Sequence, residues 1–404
     1  MAEAQATILA ACRRLAPVEV PLDDALGLVT ATALVARDPV PPFDNTAMDG
    51  FAVRAADTAA APVELRIIAT TAAGAPPGPS VGPGEAVRIM TGAPLPPGAD
   101  AVVMVERTHD PPADRGGGQN TVVVEVTVPP GDHVRRAGED LARGQEAFPA
   151  GTFLAPGHLG VMASLGLVTV AVVPRPRVGV LSTGDELVEA PTPLGPGQIR
   201  DSNRHTLLAL VRQSGFEPVD LGGAPDDPDR IATAVLQAVA GCDAVVCSGG
   251  VSVGDFDHVT AVIQRYAPAT TAWMQVAVRP AKPLAFGVVD GVPVFGLPGN
   301  PVSSMVSFEL FARPALRHMA GHLDLDRRRV RAVAPAGLPR RPDGKLHLVR
   351  VRLTERPDGR HGVEPVGGAG SHLLHAMALA NGLALVPDGD GVPPGGDVEV
   401  MVLA

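Results

Sequence analysis

The stretch VFGLPGNPVSS, residues 294–304, decides the fold class. Its first four residues read as a buried strand. Pro298 and Gly299 end that strand, because proline lacks an amide hydrogen and glycine reaches dihedrals that other residues avoid. Asn300 then falls at a helix N-cap and Pro301 at the first helical position. The run to Met319 is apolar enough for a largely buried helix, which Pro314 should kink or break. Free amides at such a start attract anions. Taken alone, the turn serves equally well as an ordinary capped strand-to-helix connection.

Working outward, the same alternation fills residues 176–322. Segments 177–181, 216–221, 244–247 and 292–297 read as strands, and 203–214, 228–240 and 256–264 as helices. That order predicts an α/β domain with an open, mostly parallel sheet wound with helices. In such sheets ligands lie beyond the carboxyl ends of the strands, at a switch point. Three exits carry distinctive loops: STGDE (182–186), SGGVSVGDFD (248–257) and LPGNPVSS (297–304). Glycines with free amides seat phosphate, and carboxylates beside them suit a hard cation, a pairing that fits magnesium-assisted phosphoryl or nucleotidyl chemistry. The ligand-binding candidates are therefore Ser182, Thr183, Gly184 and Asp185; Ser248, Gly249, Gly250, Ser252, Gly254 and Asp255; and Pro298, Gly299, Asn300, Pro301 and Ser303. Glu186 and Asp257 complete the acidic set. None of these loops matches the GxGxxG or Walker pattern. Each alone is also readable as an Asp-capped turn, and three on one sheet edge point to a site. Nearby, VRPAKP (278–283) fixes Arg279 and Lys282 between prolines, either facing an anion or forming a charged surface loop.

The flanking segments have other patterns. Residues 1–15 read as an amphipathic helix without the features of a signal peptide. From 51 to 128, short β-like runs separated by Pro/Gly turns predict a small β-rich domain, with DRGGGQN (114–120) as an exposed tip. Residues 151–167 read as a helix returning to the first domain, and 323–404 as a separate small β domain or barrel that closes the chain. The division predicted is 1–45 with 143–175, 46–142, 176–322 and 323–404. Asp49, Thr91, Glu106, Arg136 and Asp140 either complete a site from another domain or form Asx turns and caps.

Composition narrows the function classes. Thirty-three Lys and Arg against 43 Asp and Glu give a net charge of −10, which argues against a chain whose task is to coat nucleic acid or an anionic membrane. Three cysteines without a CxxC support neither a disulfide framework nor a cysteine zinc site and suit a reducing cytoplasm. No stretch is long and apolar enough to span a bilayer. The eleven histidines show no HxH or HExxH spacing, and no GxSxG elbow marks a covalent nucleophile.

Taken in order, MDGFAVR, IMTGAPLPPGADAVVMVE, RRAGEDL, STGDEL, GQIRDSNR, SGGVSVGDFD, RPAKPLAFG and GLPGNPVSS closely resemble the molybdopterin molybdenumtransferases, the family that includes the E domain of gephyrin. The resemblance runs over nearly the whole chain. It implies a split first domain, a β-rich second, an α/β third related to molybdopterin adenylyltransferases, and a C-terminal β-barrel. It also implies the last step of molybdenum cofactor synthesis, in which adenylylated molybdopterin and molybdate are bound, AMP leaves and molybdenum enters the dithiolene, with Mg²⁺ assisting. Glu186, Asp226 and Asp257 match the family's magnesium acids, with Asp227 an alternative to its neighbour. Arg279 and Lys282 match its cations. Asp49, Thr91, Asp140, Arg350 and Ser371 match functional positions expected partly from the partner chain of a homodimer. The implied partners are an upstream adenylyltransferase and downstream apo-molybdoenzymes. The chain departs from the family pattern at Ala281, where many members have Gly, at Phe51, where Tyr is frequent, and in GSHLLHAMALANG (370–382). A nucleotide pyrophosphatase or adenylyltransferase using the same α/β domain, and a non-catalytic scaffold, are the competing readings.

Overall fold

The computed structural model describes residues 1–111, 120–250 and 258–403. At its centre a six-stranded sheet runs in the order Glu217–Ala224, Arg177–Thr183, Ala244–Ser248, Val292–Leu297, Pro283–Val289, Ala272–Gln275. The first four strands are parallel. The last two fold back antiparallel as a meander. The central strands are continuous apolar runs because both sheet faces are covered: all five residues of Ala244–Ser248 are buried. Ser202–Gln213 packs on one face through Leu207 and Val211. Pro228–Val239 and His258–Tyr266 pack on the other through Ile231, Val235 and Ile263. The four parallel strands lie where the sequence places them. Pro283–Val289 is an additional strand.

The helix after residue 300 explains the position of the chain's first helix. It runs as Pro301–Ser307, widens into a π turn at Phe308–Ala312, and continues as Arg313–Met319. Pro314 has no amide hydrogen to give the Leu310 carbonyl four residues back. Gln5 Nε2 donates to that carbonyl at 2.8 Å instead. Gln5 belongs to the helix Ala2–Ala11, whose Ala4 and Ile8 are buried in the α/β core. This helix, grouped by sequence with the first domain, thus packs on the third.

The remaining parts are β-rich. A short sheet of Val18–Pro21, Thr169–Val173 and Val29–Thr30 packs with the helix Pro156–Ser164 around Leu154 and Met162. A second six-stranded sheet has Gly50–Val53 and Glu85–Ile89 among its inner strands. The C-terminal strands Leu346–Glu355, His361–Pro365, Arg329–Ala334, Gly396–Val402 and Gly382–Val386 form a closed five-stranded barrel, the last pairing back onto the first. Val278–Arg279 adds to this barrel, with Val278 opposite Leu346 and Arg279 opposite His347. No helix among the described residues is long and apolar enough to cross a membrane.

Candidate functional site

The parallel register brings four strand exits level. Ser182 lies opposite Ser248, Ser248 opposite Leu297, and Thr183 opposite Ala224. Beyond them opens a cleft of about 840 Å³. Its walls are Thr183, Gly184 and Glu186 from the first exit, Asp226 from the second, Ser248, Gly249 and Gly250 from the third, and Pro298, Gly299, Asn300, Pro301 and Ser303 from the fourth. Arg200, Asp201, Ser202 and Asn203 line it where a helix begins, and His372 reaches it from the C-terminal domain.

The floor of the cleft is a close backbone crossing. Gly249 has φ +102°, and a Cβ there would stand 2.6 Å from the Thr183 carbonyl oxygen, so only glycine lets the two exits touch. The Gly249 amide donates to the Leu297 carbonyl, joining the next exit. Beside this crossing the Thr183 hydroxyl is buried without a hydrogen-bond partner among the described residues. A buried polar group left unpaired costs about 1–3 kcal/mol, which a polar ligand in the cleft would recover. Asn300 occupies the N-cap position but makes no side-chain capping bond, so its amide group remains with the cleft lining.

Other expected residues turn away from the cleft into internal bonds. The Ser182 hydroxyl donates to Asp201 Oδ1 at 3.0 Å. Asp201 is buried and caps the helix Ser202–Gln213 by accepting from the Arg204 amide. The Arg204 guanidinium, also buried, donates to Asp201, to both Asp220 oxygens and to Glu189. Burial alone would lower the Arg204 pKa, but the Asp220 and Asp201 carboxylates reverse that and hold it above its ordinary value. Asp185 Oδ1 accepts the Asp226 amide at 3.1 Å and so ties the first exit to the second.

Two carboxylates face the cleft from neighbouring exits, Glu186 and Asp226. Asp227 instead caps the helix Pro228–Val239, accepting from the Asp229 and Arg230 amides at 3.0 Å each. That separates the adjacent acids: Asp226 belongs to the cleft and Asp227 to the helix. Ser252, Gly254, Asp255 and Asp257 lie outside the described residues, and among those described no cluster of three ligating side chains exists. The donor set present, carboxylate oxygens beside a glycine-lined crossing, suits a hard, oxygen-seeking cation such as Mg²⁺.

Comparison with known proteins covers the whole of this architecture. Residues 1–166 match the model of the MoeA N-terminal region (domain I and II), 179–318 that described as "Probable molybdopterin binding domain", and 331–403 the MoeA C-terminal region (domain IV). Molybdopterin molybdenumtransferase 2 of Mycobacterium tuberculosis is 40% identical over 95% of this chain and 93% of its own. Molybdopterin molybdenumtransferase of Bacillus subtilis is 36% identical over 95% and 89%. The chain belongs to the molybdopterin molybdenumtransferase family. The fold agrees: the crystal structure of molybdopterin biosynthesis moeA protein from Pyrococcus horikoshii matches with a TM-score of 0.82 at 28% identity, covering 99% of this chain and 98% of that one. The transferase acts in molybdenum cofactor biosynthesis.

The remaining expected residues of this transferase are not in the lining of the main cleft, though Lys282 adjoins its Pro283 and Ser371 its His372. Arg279 is half-exposed, 3.9 Å from Asp343, and lines a second cleft of about 190 Å³ where its strand meets the barrel. Lys282 is exposed and pairs with no described acid. Arg350 is 5% exposed and holds the loop after the strand His361–Pro365, donating to the carbonyls of Gly368, Gly370 and Leu373. Burial lowers its pKa. The Ser371 carbonyl accepts the Val302 amide at 3.0 Å, which seats this loop, and the next residue, His372, against the cleft. Asp49 and Thr91 are joined, with Asp49 Oδ1 accepting from the Thr91 amide at 2.7 Å and its hydroxyl at 2.8 Å. The amide first and the hydroxyl second pull the Asp49 pKa below its ordinary value. Asp49, Thr91 and Asp140 are exposed and line no part of the cleft. Asp201, Asn203, Arg200 and His372 were missing from the sequence-derived set. The DSN triplet after Ile199–Arg200 carried a usable signal, an Asp opening a helix; His372 carried none.

Proposed function

We propose that this transferase inserts molybdenum from molybdate into adenylylated molybdopterin and releases AMP. The observation that carries the reading is one cleft in which a glycine-lined crossing, with a buried hydroxyl that has no partner among the described residues, adjoins two carboxylates. The Thr183, Gly249 and Gly250 segment would bind phosphate oxygens, and the wall at Pro298, Gly299 and Asn300 would orient the nucleotide portion. Glu186 and Asp226 would hold Mg²⁺, which when bound supplies positive charge beside the phosphates. Lys282 would add a cation as charge moves to the leaving group. Asp49, Thr91 and Asp140 would reach the cleft of a partner in a homodimer. Substrate would come from a molybdopterin adenylyltransferase and product go to apo-molybdoenzymes, in a reducing cytoplasm that suits three buried free thiols.

The test is a defined insertion assay with purified protein, adenylylated molybdopterin, Mg²⁺ and molybdate, following AMP release and the activity of an apo-molybdoenzyme. Both signals should appear, and Glu186→Ala should lower both by about 100-fold or more. AMP release that ignores molybdate and yields no active cofactor would replace insertion with pyrophosphatase chemistry. Tight binding without turnover would make the chain a scaffold.

A further inference from the structure

We propose that Asn203 is a positioning residue of the cleft, locking the third and fourth strand exits together. Asn203 is half-buried at the start of the helix Ser202–Gln213, next to the capping Asp201. Its Nδ2 donates to the Ser248 hydroxyl at 2.7 Å and to the Gly299 carbonyl at 2.6 Å. Those partners belong to the glycine-lined exit and to the turn that opposes it. One amide group, carried on a third element, therefore spans the seam along which the cleft would open.

The two bonds have different consequences. Ser248 is 2% exposed, and its hydroxyl, having accepted from Asn203, is oriented immediately before Gly249 and Gly250. The Gly299 carbonyl fixes the plane of the Gly299–Asn300 peptide, and a planar trans peptide fixes the Asn300 N–H on its opposite side. Among the described residues, Ser248, Gly249 and Gly250 on one exit and Pro298 and Gly299 on the other carry only short side chains or none, and the backbone bond from Gly249 to Leu297 is their direct link. Gly299 has no side chain, and a Cβ there would find only the Gly249 Cα, at 3.8 Å. The helix start is anchored in turn by Asp201, which binds Ser182 and Arg204. Three of the four exits thus refer their positions to residues 201–203.

The inference rests on the insertase reading for its kinetic arm, and its second arm does not. Asn203→Ala should lower kcat for AMP release by about 10- to 100-fold, with KM moved less than about threefold, because misplacing a reacting group by an ångström has effects of that order. Ser248→Ala should have a smaller effect. The double variant should be no worse than Asn203→Ala, since Asn203→Ala already removes the one bond that Ser248→Ala breaks. Asn203→Asp places a carboxylate against the Gly299 carbonyl and should be at least as impaired as Asn203→Ala. A rise in KM alone, with effects that multiply in the double variant, would make Asn203 a direct substrate contact and overturn the proposal. In the ligand-free protein, amide hydrogen exchange over residues 297–304 should quicken in Asn203→Ala while the Ala244–Ser248 strand keeps its protection. Unchanged exchange in that segment would overturn the proposal whatever the reaction proves to be. Faster exchange in a chain whose wild type shows no insertion would leave the link standing and remove the insertase reading.

Discussion

The strand exits of the α/β domain and the Asp49 surface of the second domain handle polar residues in opposite ways. At the exits, polar groups that do not face the cleft are used up internally: Ser182 on Asp201, Asp185 on the Asp226 amide, Arg204 on three acids. What the exits leave toward the cleft includes Glu186, Asp226, the Asn300 amide group, the Thr183 hydroxyl and the glycine crossing. On the second domain, Asp49 is organised by Thr91, whose amide and hydroxyl pull its pKa below the ordinary value, yet it is exposed and borders no part of the cleft. A carboxylate preorganised by an amide and a hydroxyl, away from the cleft of the described residues, is consistent with the proposal that a homodimer shares its site between subunits. The exits form the wall that grips, and the second domain offers a wall without a cleft.

The largest expected effect tests that division directly. Chains carrying Glu186→Ala and chains carrying Asp49→Ala should each be nearly inactive alone. Dissociated and reassociated together, they should recover about a quarter of wild-type insertion activity, because half of randomly paired dimers are mixed and each mixed dimer has one intact site. Recovery is measured as AMP release against the mixing ratio. No recovery, with mixed dimers shown to form, would break the comparison, placing Asp49 either in its own chain's site or outside the chemistry.

How much of this arrangement the sequence disclosed depended on the range of the interaction. The parallel strands and the exits STGDE and LPGNPVSS were legible, because apolar runs ending in Gly and Asp are local patterns; of the loop SGGVSVGDFD only Ser248, Gly249 and Gly250 lie among the described residues. Asp226 and Asp227 were not separable, since both stand between the same strand and helix. The distinction is one of direction: Asp227 lies one residue nearer the helix and closes on its amides. Arg279 and Lys282 read as one proline-fixed pair of cations. In the fold Arg279 is instead drawn into a two-residue ladder with the barrel, toward Asp343, a pairing with residues some 65 positions away that no local pattern announces. Arg350 was legible only through resemblance. Its burial and its three carbonyl partners show a residue that shapes the loop before His372, which composition could not have indicated. The Leu310 carbonyl within the π turn is likewise satisfied from afar, by Gln5 some 300 residues away.

The adjacent acids give the next test, and it sharpens the cleft side of the comparison. Asp226→Ala should lower insertion by about 10- to 100-fold while leaving thermal stability near wild type. Asp227→Ala should do the reverse, costing about 1 kcal/mol through loss of the cap on Pro228–Val239 with activity largely retained. Paired melting and initial-rate measurements on the two variants decide it. If Asp227→Ala is the inactive one, the assignment of the two carboxylates is inverted and the Asp229 and Arg230 amides are incidental partners.

The smallest effect is expected at Ala281, on the seam between the α/β domain and the barrel. Its φ is +85°, a region that L residues with a Cβ occupy at a cost of about 1–2 kcal/mol. Ala281→Gly removes that cost. It also frees the unfolded chain, returning about 0.4–1 kcal/mol, and exposes a small void where a methyl group 2% accessible now packs, worth up to about 0.8 kcal/mol. These terms largely offset one another, so stability should move by no more than about 1.5 kcal/mol. The more informative readout is the KM for molybdate. Ala281 lies between Arg279, which the barrel ladder holds, and Lys282, which is exposed without a described acid beside it. If the methyl group merely tolerates a geometry that glycine would also adopt, KM is unchanged. If it stiffens the hinge on which Lys282 is presented, the glycine variant should bind molybdate more weakly at equal stability. A loss of more than about 2 kcal/mol would instead mean that the methyl group is a packing element of the seam, outweighing the strain of its backbone.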